Sequence, residues 1–270
     1  MTSDLFATRS ILFLPASNPR AIEKARESNA DLVVLDLEDA VKPEDKSEAR
    51  AGAAEAVSTE WRMPVAIRIN GTGSQWQSAD IDAVAQSKCD YAVLPRAASV
   101  QDVRHVRDAL GKPVLAMIET AAGVLAAVEI VSAARALIAG TNDLRTDLRL
   151  PLDATREPIS VSLQLIILAA RAGGIPAFDG VFNQLNDFDG FIAECMHGRR
   201  LGFDGKSLIH PDQIGPCNEA FGPSEEEIES ARRLVDAFSG GAERFEDRMV
   251  ERMHVEAARR VLERAGQADK

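Results

Sequence analysis

Cysteine is scarce in this 270-residue chain: Cys89, Cys195 and Cys217 are odd in number, distant in sequence and without CxxC spacing. They support neither a zinc site nor a disulfide framework, and a reducing cytoplasm fits them best. Positive charge is short as well. A net charge of −11 and a pI near 5.0 argue against nucleic acid or anionic membrane as the main partner, since both require a positive surface. An anionic ligand must therefore meet local positive charge. Long apolar runs are missing, with none approaching ~18 residues, and the opening MTSDLFATRS lacks the basic flank and apolar core of a signal peptide. Neither membrane spanning nor secretion is expected, and internal repeats and low-complexity tracts are not found.

What the chain does have is 46% hydrophobic and 27% charged residues, enough for one globular domain with a full barrel core and a short appendage. Short aliphatic runs recur at Ser10–Leu14, Leu32–Leu37, Val65–Ile69, Tyr91–Leu94, Val114–Ile118, Ala136–Ala139, Ala177–Val181 and Phe203–Ile209. Helical patterns such as Pro19–Ser28, Val100–Leu110 and Ile159–Ala172 lie between them. Crossovers of this length exclude hairpins and imply parallel pairing. Runs such as Leu32-Val33-Val34-Leu35 do not alternate, as expected of strands covered on both faces. Eight such units predict a (β/α)₈ TIM barrel over residues 1–215; the rival, a doubly wound open sheet, lacks a glycine-rich phosphate fingerprint after its first strand. Residues 216–270 are expected to form a helical extension, with a serine-capped helix opening at Pro223-Ser224-Glu225 and a second amphipathic helix over Glu246–Ala265 that forms a lid or reaches a neighbouring subunit.

Functional groups of parallel barrels gather at the carboxyl ends of the strands. Here those ends read Leu35-Asp36-Leu37-Glu38-Asp39, Ile67-Arg68-Ile69-Asn70, Ile118-Glu119-Thr120 and Gly140-Thr141-Asn142-Asp143. Two carboxylates ~4 Å apart repel by roughly 4 kcal/mol at an effective dielectric of 20, so the cluster calls for a neutralising cation. All-oxygen donors suit Mg²⁺ better than zinc. Glu119 and Asp143 are the candidate metal ligands, while Asp36, Glu38 and Asp39 are either site groups or helix caps. Arg68 matches a carboxylate bidentately, and its structural alternative is an ion pair with Glu38 or Asp39. Arg20 and Lys24, one turn apart at a helix start, are either a phosphate site or solubilising charges. His105, His197 and His254 lack partners at ligand spacing and are read as structural, as is Cys195.

These strand ends, in this order, resemble the citrate lyase β-subunit-like family, which includes malyl-CoA and citramalyl-CoA lyases and belongs with the HpcH/HpaI aldolases. The segments that carry the likeness span nearly the whole chain: Arg9-Ser10-Ile11-Leu12-Phe13-Leu14-Pro15, Leu35-Asp36-Leu37-Glu38-Asp39-Ala40-Val41 with Lys46, Arg68-Ile69-Asn70, Leu94-Pro95-Arg96, Glu119-Thr120-Ala121-Ala122-Gly123, and Gly202-Phe203-Asp204-Gly205-Lys206 leading to Ile209-His210-Pro211. The resemblance implies a homotrimeric or hexameric barrel in which Glu119 and Asp143 ligate Mg²⁺ and Arg68 binds the substrate carboxylate or developing enolate. It also implies that Arg20, Lys24 and His210 lie near CoA. The implied activity is cleavage of a 3-hydroxy carboxy-acyl-CoA of the citramalyl, malyl or citryl type into a short acyl-CoA and a 2-oxo acid. Two positions depart from the family pattern. A catalytic aspartate in a Met-Val-Asp-like stretch is replaced by Glu251, in Arg248-Met249-Val250-Glu251, and Asn142 stands where relatives often carry an acid. The alternatives are a CoA-independent 2-oxo acid aldolase and a weakened thioester-binding or complex subunit.

Overall fold

The computed structural model describes residues 5–266, in two compact units that divide between Cys217 and Asn218. The first unit is a closed barrel of eight parallel strands in sequential order: β1 (Ser10–Pro15), β2 (Leu32–Asp36), β3 (Val65–Arg68), β4 (Tyr91–Leu94), β5 (Val114–Ile118), β6 (Ala136–Ala139), β7 (Ala177–Asp179) and β8 (Gly205–Leu208). Helices connect them: α1 (Pro19–Arg26), α2 (Lys46–Ala56), α3 (Gln77–Gln86), α4 (Val100–Leu110) and α5 (Ala121–Ile130) each follow the strand of the same number, α6 (Thr141–Asp147) and α7 (Ser160–Ala172) both lie between β6 and β7, and α8 (Phe188–Leu201) joins β7 to β8. The open-sheet alternative is excluded, because β8 closes on β1 through the Ser10–Lys206 to Leu12–Leu208 register.

The absence of alternation follows from this closure. Ile11, Phe13, Val34, Tyr91, Val93, Leu115, Met117, Ile138 and Phe178 fill the lumen, while the intervening Leu12, Val33, Ile67 and Ala92 are buried as well. Each fully buried large side chain contributes about 1.5–3 kcal/mol. Two apolar runs prove longer than their strands. β7 stops at Asp179 because the chain turns at Gly180, where a Cβ would collide with Thr141. β8 starts at Gly205, whose backbone abuts the Arg9 carbonyl too closely for a side chain. Asp204 lies outside the strand, accepting hydrogen bonds from the Ala177 amide at 2.9 Å and from Arg171 at 2.9 Å. Side-chain caps set the helix starts, among them Ser99 on Asp102 N (3.1 Å) and Thr120 on Gly123 N (3.0 Å).

The unit boundary falls within α9 (Ile214–Phe221). In the second unit, α10 (Glu225–Ala237) opens with the Ser224–Glu227 capping box. The single helix expected over Glu246–Ala265 is not formed: β9 (Glu243–Phe245) and β10 (Arg248–Val250) make an antiparallel hairpin, and only α11 (Arg252–Arg264) is helical. The two-residue turn has Glu246 at φ +51°, left-handed backbone that breaks a helix. Ala231 of α10 packs on Ala258 and Leu262 of α11. Among the described residues, no helix is long and apolar enough to cross a membrane.

Candidate active site

The carboxyl ends of β1, β2, β3, β5, β6, β7 and β8 surround a cavity of about 410 Å³, lined by Phe13, Asp36, Asp39, Arg68, Met117, Glu119, Gly140, Asn142, Asp143, Val181 and Ile209. The β2–β3 register sets Asp36 directly opposite Arg68. Their side chains form a buried fork, with Nε to Oδ1 and NH2 to Oδ2 both at 2.6 Å. Asp36 also accepts the amides of Glu38 (2.8 Å) and Ala40 (3.1 Å), so both its oxygens are fully committed to holding Arg68 and the β2 turn. Two corners of the guanidinium are spent on Asp36. The third, NH1, lies 3.7 Å from the Met117 sulfur and 3.0 Å from Glu38 Oε2.

Glu38 approaches NH1 off the N–H direction, so its buried Oε2 accepts no hydrogen bond. Burial, followed by repulsion from Asp39, Glu119 and Asp36, overcomes the attraction of Arg68 and pushes the Glu38 carboxyl up to about 8. At neutral pH it is mostly protonated, leaving NH1 available. The ion pair expected of Arg68 with Glu38 or Asp39 is formed instead with Asp36, and Glu38 lies beside NH1 at 3.0 Å.

Glu119 follows β5 and is 2% exposed. Its Oε1 accepts the Arg96 amide at 2.6 Å, and Oε2 accepts no hydrogen bond from any described residue. A Cβ at Gly140 would collide with this carboxylate, so the glycine makes room for it. Burial and the charge of Asp143 raise the Glu119 pKa to about 7, against the lowering pull of the Arg96 amide, Arg68 and Arg96. Asp143 stands in the first turn of α6, half-buried, and its Oδ1 receives Arg96 NH1 at 3.2 Å.

Two residues with no assigned role in the sequence reading carry weight here. Arg96, at φ +49° after β4, links Glu119 through its amide and Asp143 through its guanidinium, supplying positive charge between the two carboxylates. Lys46 is buried and donates to Leu37 O (2.6 Å), Glu38 O (2.6 Å) and Asn70 Oδ1 (2.8 Å), while Asn70 is held in turn by Asp80 (2.6 Å). The ammonium fixes the backbone that carries Glu38. Both residues lie in the segments quoted above, but a post-strand arginine and a helix-start lysine read equally well as solvated charges.

Arg20 and Lys24 lie on the exposed side of α1, which follows β1. His210 follows β8 and caps a short turn, its Nδ1 accepting the Asp212 amide at 3.2 Å. Since β1 pairs with β8, the turn into α1 and the His210 turn leave neighbouring strands. Glu251 caps α11 in the second unit and is exposed, its amide donating to His254 Nδ1 at 3.0 Å. His254 is therefore a satisfied histidine, and Cys195 is fully buried.

The donor set fits a hard cation. Glu119 Oε2 and the half-open Asp143 offer oxygen donors to one cavity, and among the described residues no three acidic, histidine or cysteine side chains converge into a closed cage. Two carboxylates with the remaining positions open to water and ligand oxygens is the usual demand of Mg²⁺.

Comparison with known proteins shows the family. Residues 9–211 match the family model HpcH/HpaI aldolase/citrate lyase. A (3S)-malyl-CoA thioesterase of Cereibacter sphaeroides is 41% identical over 268 residues, covering 95% of this chain and 94% of its own. The citrate lyase subunit beta of Escherichia coli is 32% identical over 95% of this chain and 93% of its own. CitE from Mycobacterium tuberculosis, solved with magnesium, acetoacetate and coenzyme A, superposes with a TM-score of 0.86 at 33% identity, covering 97% of this chain and all (100%) of that one. The barrel, its strand-end carboxylates and these likenesses converge: the chain belongs to the HpcH/HpaI aldolase/citrate lyase family.

Proposed function

We propose that this protein is a Mg²⁺-dependent carbon–carbon lyase acting on a 3-hydroxy carboxy-acyl-CoA of the malyl type, releasing a short acyl-CoA and a 2-oxo acid. The observation that carries the reading is the pairing, on one cavity, of the Glu119–Asp143 carboxylates with an arginine whose fork is held rigidly by Asp36. CitE from M. tuberculosis bound to magnesium, acetoacetate and coenzyme A supports it. Glu119 and Asp143 would hold the metal, which when bound supplies Lewis acidity toward the substrate's carboxylate and hydroxyl oxygens. NH1 of Arg68 donates to the oxygen on which negative charge develops as the bond between C2 and C3 breaks. Asp36 positions that arginine, and Glu38 stays protonated beside it. Arg20, Lys24 and His210 bind the CoA end. The substrate's 3-hydroxyl gives up its proton to water as the C2–C3 electron pair leaves with the thioester enolate, and Glu251, contributed by a neighbouring subunit, returns a proton to the enolate carbon. Exposed Leu125 and Val128 on α5, beside Val161 and Leu168 on α7, support a homo-oligomer, a trimer or hexamer.

A second reading is favoured by the thioesterase relatives: hydrolysis of the same thioester, giving the free hydroxy acid and CoA thiol. Incubating the protein with Mg²⁺ and malyl-CoA separates the two. Lysis yields a 2-oxo acid trapped by phenylhydrazine with no free thiol; thiol release with no oxo acid assigns hydrolysis, and neither product refutes both. Arg20→Ala with Lys24→Ala is expected to raise KM for the thioester about tenfold or more, as for a lost charged contact, while leaving pyruvate affinity unchanged. Equal loss for both ligands would contradict the CoA assignment.

A further inference from the structure

Met117 stands one residue before the end of β5, in the lumen cluster with Phe13 and Phe178, and it also forms part of the reaction-cavity wall. It is 7% exposed, and what solvent contact it has is through that cavity. Its sulfur lies 3.7 Å from NH1 of Arg68, the guanidinium corner that Asp36 does not hold. A thioether is a weak acceptor, so a ligand oxygen takes the NH1 hydrogen from it at little cost. An amide or hydroxyl oxygen in the same place would keep the donor for itself.

We propose that Met117 is an oxidative modification site, at which a peroxide turns this weak acceptor into a strong one and so withdraws NH1 of Arg68 from the substrate. The sulfur lone pair attacks one oxygen of hydrogen peroxide, the O–O bond breaks, and water leaves; the thioether is oxidised by two electrons to the sulfoxide as the peroxide is reduced. Oxygen added on the face toward NH1 falls within hydrogen-bond reach, since the gap from sulfur is 3.7 Å. The proposal rests on the functional reading above, which gives NH1 to the oxygen where negative charge develops. Cysteine chemistry is separable from it. All three cysteines are buried; burial pushes the Cys89 thiol up, and a hydrogen bond with Cys195, then burial, does the same to Cys217, which disfavours the thiolates that peroxide attacks. Met249 and Met253, exposed on the second unit, supply an internal comparison.

The experiment treats the full chain with hydrogen peroxide and follows the sulfoxide at each methionine by peptide mass spectrometry. Malyl-CoA turnover, and calorimetric binding of Mg²⁺ and of pyruvate with Mg²⁺ present, are measured on the same samples. Turnover and pyruvate affinity are each expected to fall about tenfold or more, the usual effect of losing a hydrogen bond to a charged group, in step with sulfoxide at Met117. Mg²⁺ binding should persist, and dithiothreitol, which reverses cysteine oxidation to disulfide or sulfenic acid but not a methionine sulfoxide, should restore neither. Met117→Leu should hold its own untreated turnover through the same exposure, whereas Met249→Leu with Met253→Leu should be inactivated as fast as the wild type. Full sulfoxide at Met117 with turnover retained overturns the proposal, and so does a Met117 that stays reduced while Met249 and Met253 are converted. Inactivation that dithiothreitol reverses, that persists in Met117→Leu, or that removes Mg²⁺ binding as well also overturns it. An untreated wild type that neither turns over malyl-CoA nor binds pyruvate overturns the functional reading and the proposal with it.

Discussion

Replacing Arg68 by lysine keeps the charge and removes the fork. In the wild type Nε and NH2 each reach Asp36 at 2.6 Å, and NH1 is the corner left facing Glu38 and the cavity. A lysine ammonium can satisfy Asp36 only from one point, and once there it offers no second, fixed donor to a ligand. The lost charge-assisted bond in this buried setting costs about 1.5–3 kcal/mol of stability, which for a chain of this size lowers Tm by roughly 4–10 °C. The catalytic effect should be larger than the structural one suggests, since removal of a donor to a developing oxyanion lowers kcat by about 10²–10³. The assay is malyl-CoA turnover with saturating Mg²⁺, alongside thermal melting. A variant with the predicted Tm loss but kcat within about threefold of wild type would refute the role given to NH1, leaving Arg68 a structural partner of Asp36.

Other consequences follow from the same contacts. Lys46→Met leaves the Leu37 and Glu38 carbonyls and Asn70 Oδ1 without their shared donor; at about 1–3 kcal/mol for a buried group left unpaired, chemical denaturation should show a loss of at least about 2 kcal/mol, and a loss below about 0.5 would contradict the positioning role. Folding raises the Glu119 carboxyl from 4.5 to about 7, so its contribution to stability without metal is fully present below pH 4.5 and is lost as pH rises through about 7. Metal binding requires the ionised form and has the opposite slope. Apparent Mg²⁺ affinity should climb close to tenfold per pH unit below about 7 and level off above it, and an affinity flat between pH 5.5 and 7 would contradict the assignment of Glu119.

The barrel is legible in the sequence because parallel strands buried on both faces leave non-alternating aliphatic runs, and six of the eight runs begin and end within one residue of a strand. The two overlong runs fail where glycines bring backbones into close approach, at Gly180 and Gly205, and such contacts depend on the partner element. Counting the β2–β3 register would have found the Asp36–Arg68 pair, since cross-strand neighbours meet directly; sequence proximity to the LEDAV stretch favoured Glu38 and Asp39 instead. The β9–β10 hairpin left no signal, because its turn uses Glu246-Asp247 rather than Asn-Gly or Asp-Gly, and charged residues at helical spacing continue straight through it. Arg96 and Lys46 were visible as residues but not as roles. Arg96 acts through direction, set by a left-handed backbone, and Lys46 through burial in a three-acceptor pocket.

Glu119 and Asp143, as a pair of magnesium ligands facing Arg68, are the centre of the proposed chemistry. Calorimetric titration of Mg²⁺ into the wild type, Glu119→Gln and Asp143→Asn at pH 8, with pyruvate present, tests this directly. One site per chain in the wild type, and at least about a hundredfold weaker binding in each variant with folding retained by circular dichroism, is the predicted result. Wild-type affinity in either variant would contradict it.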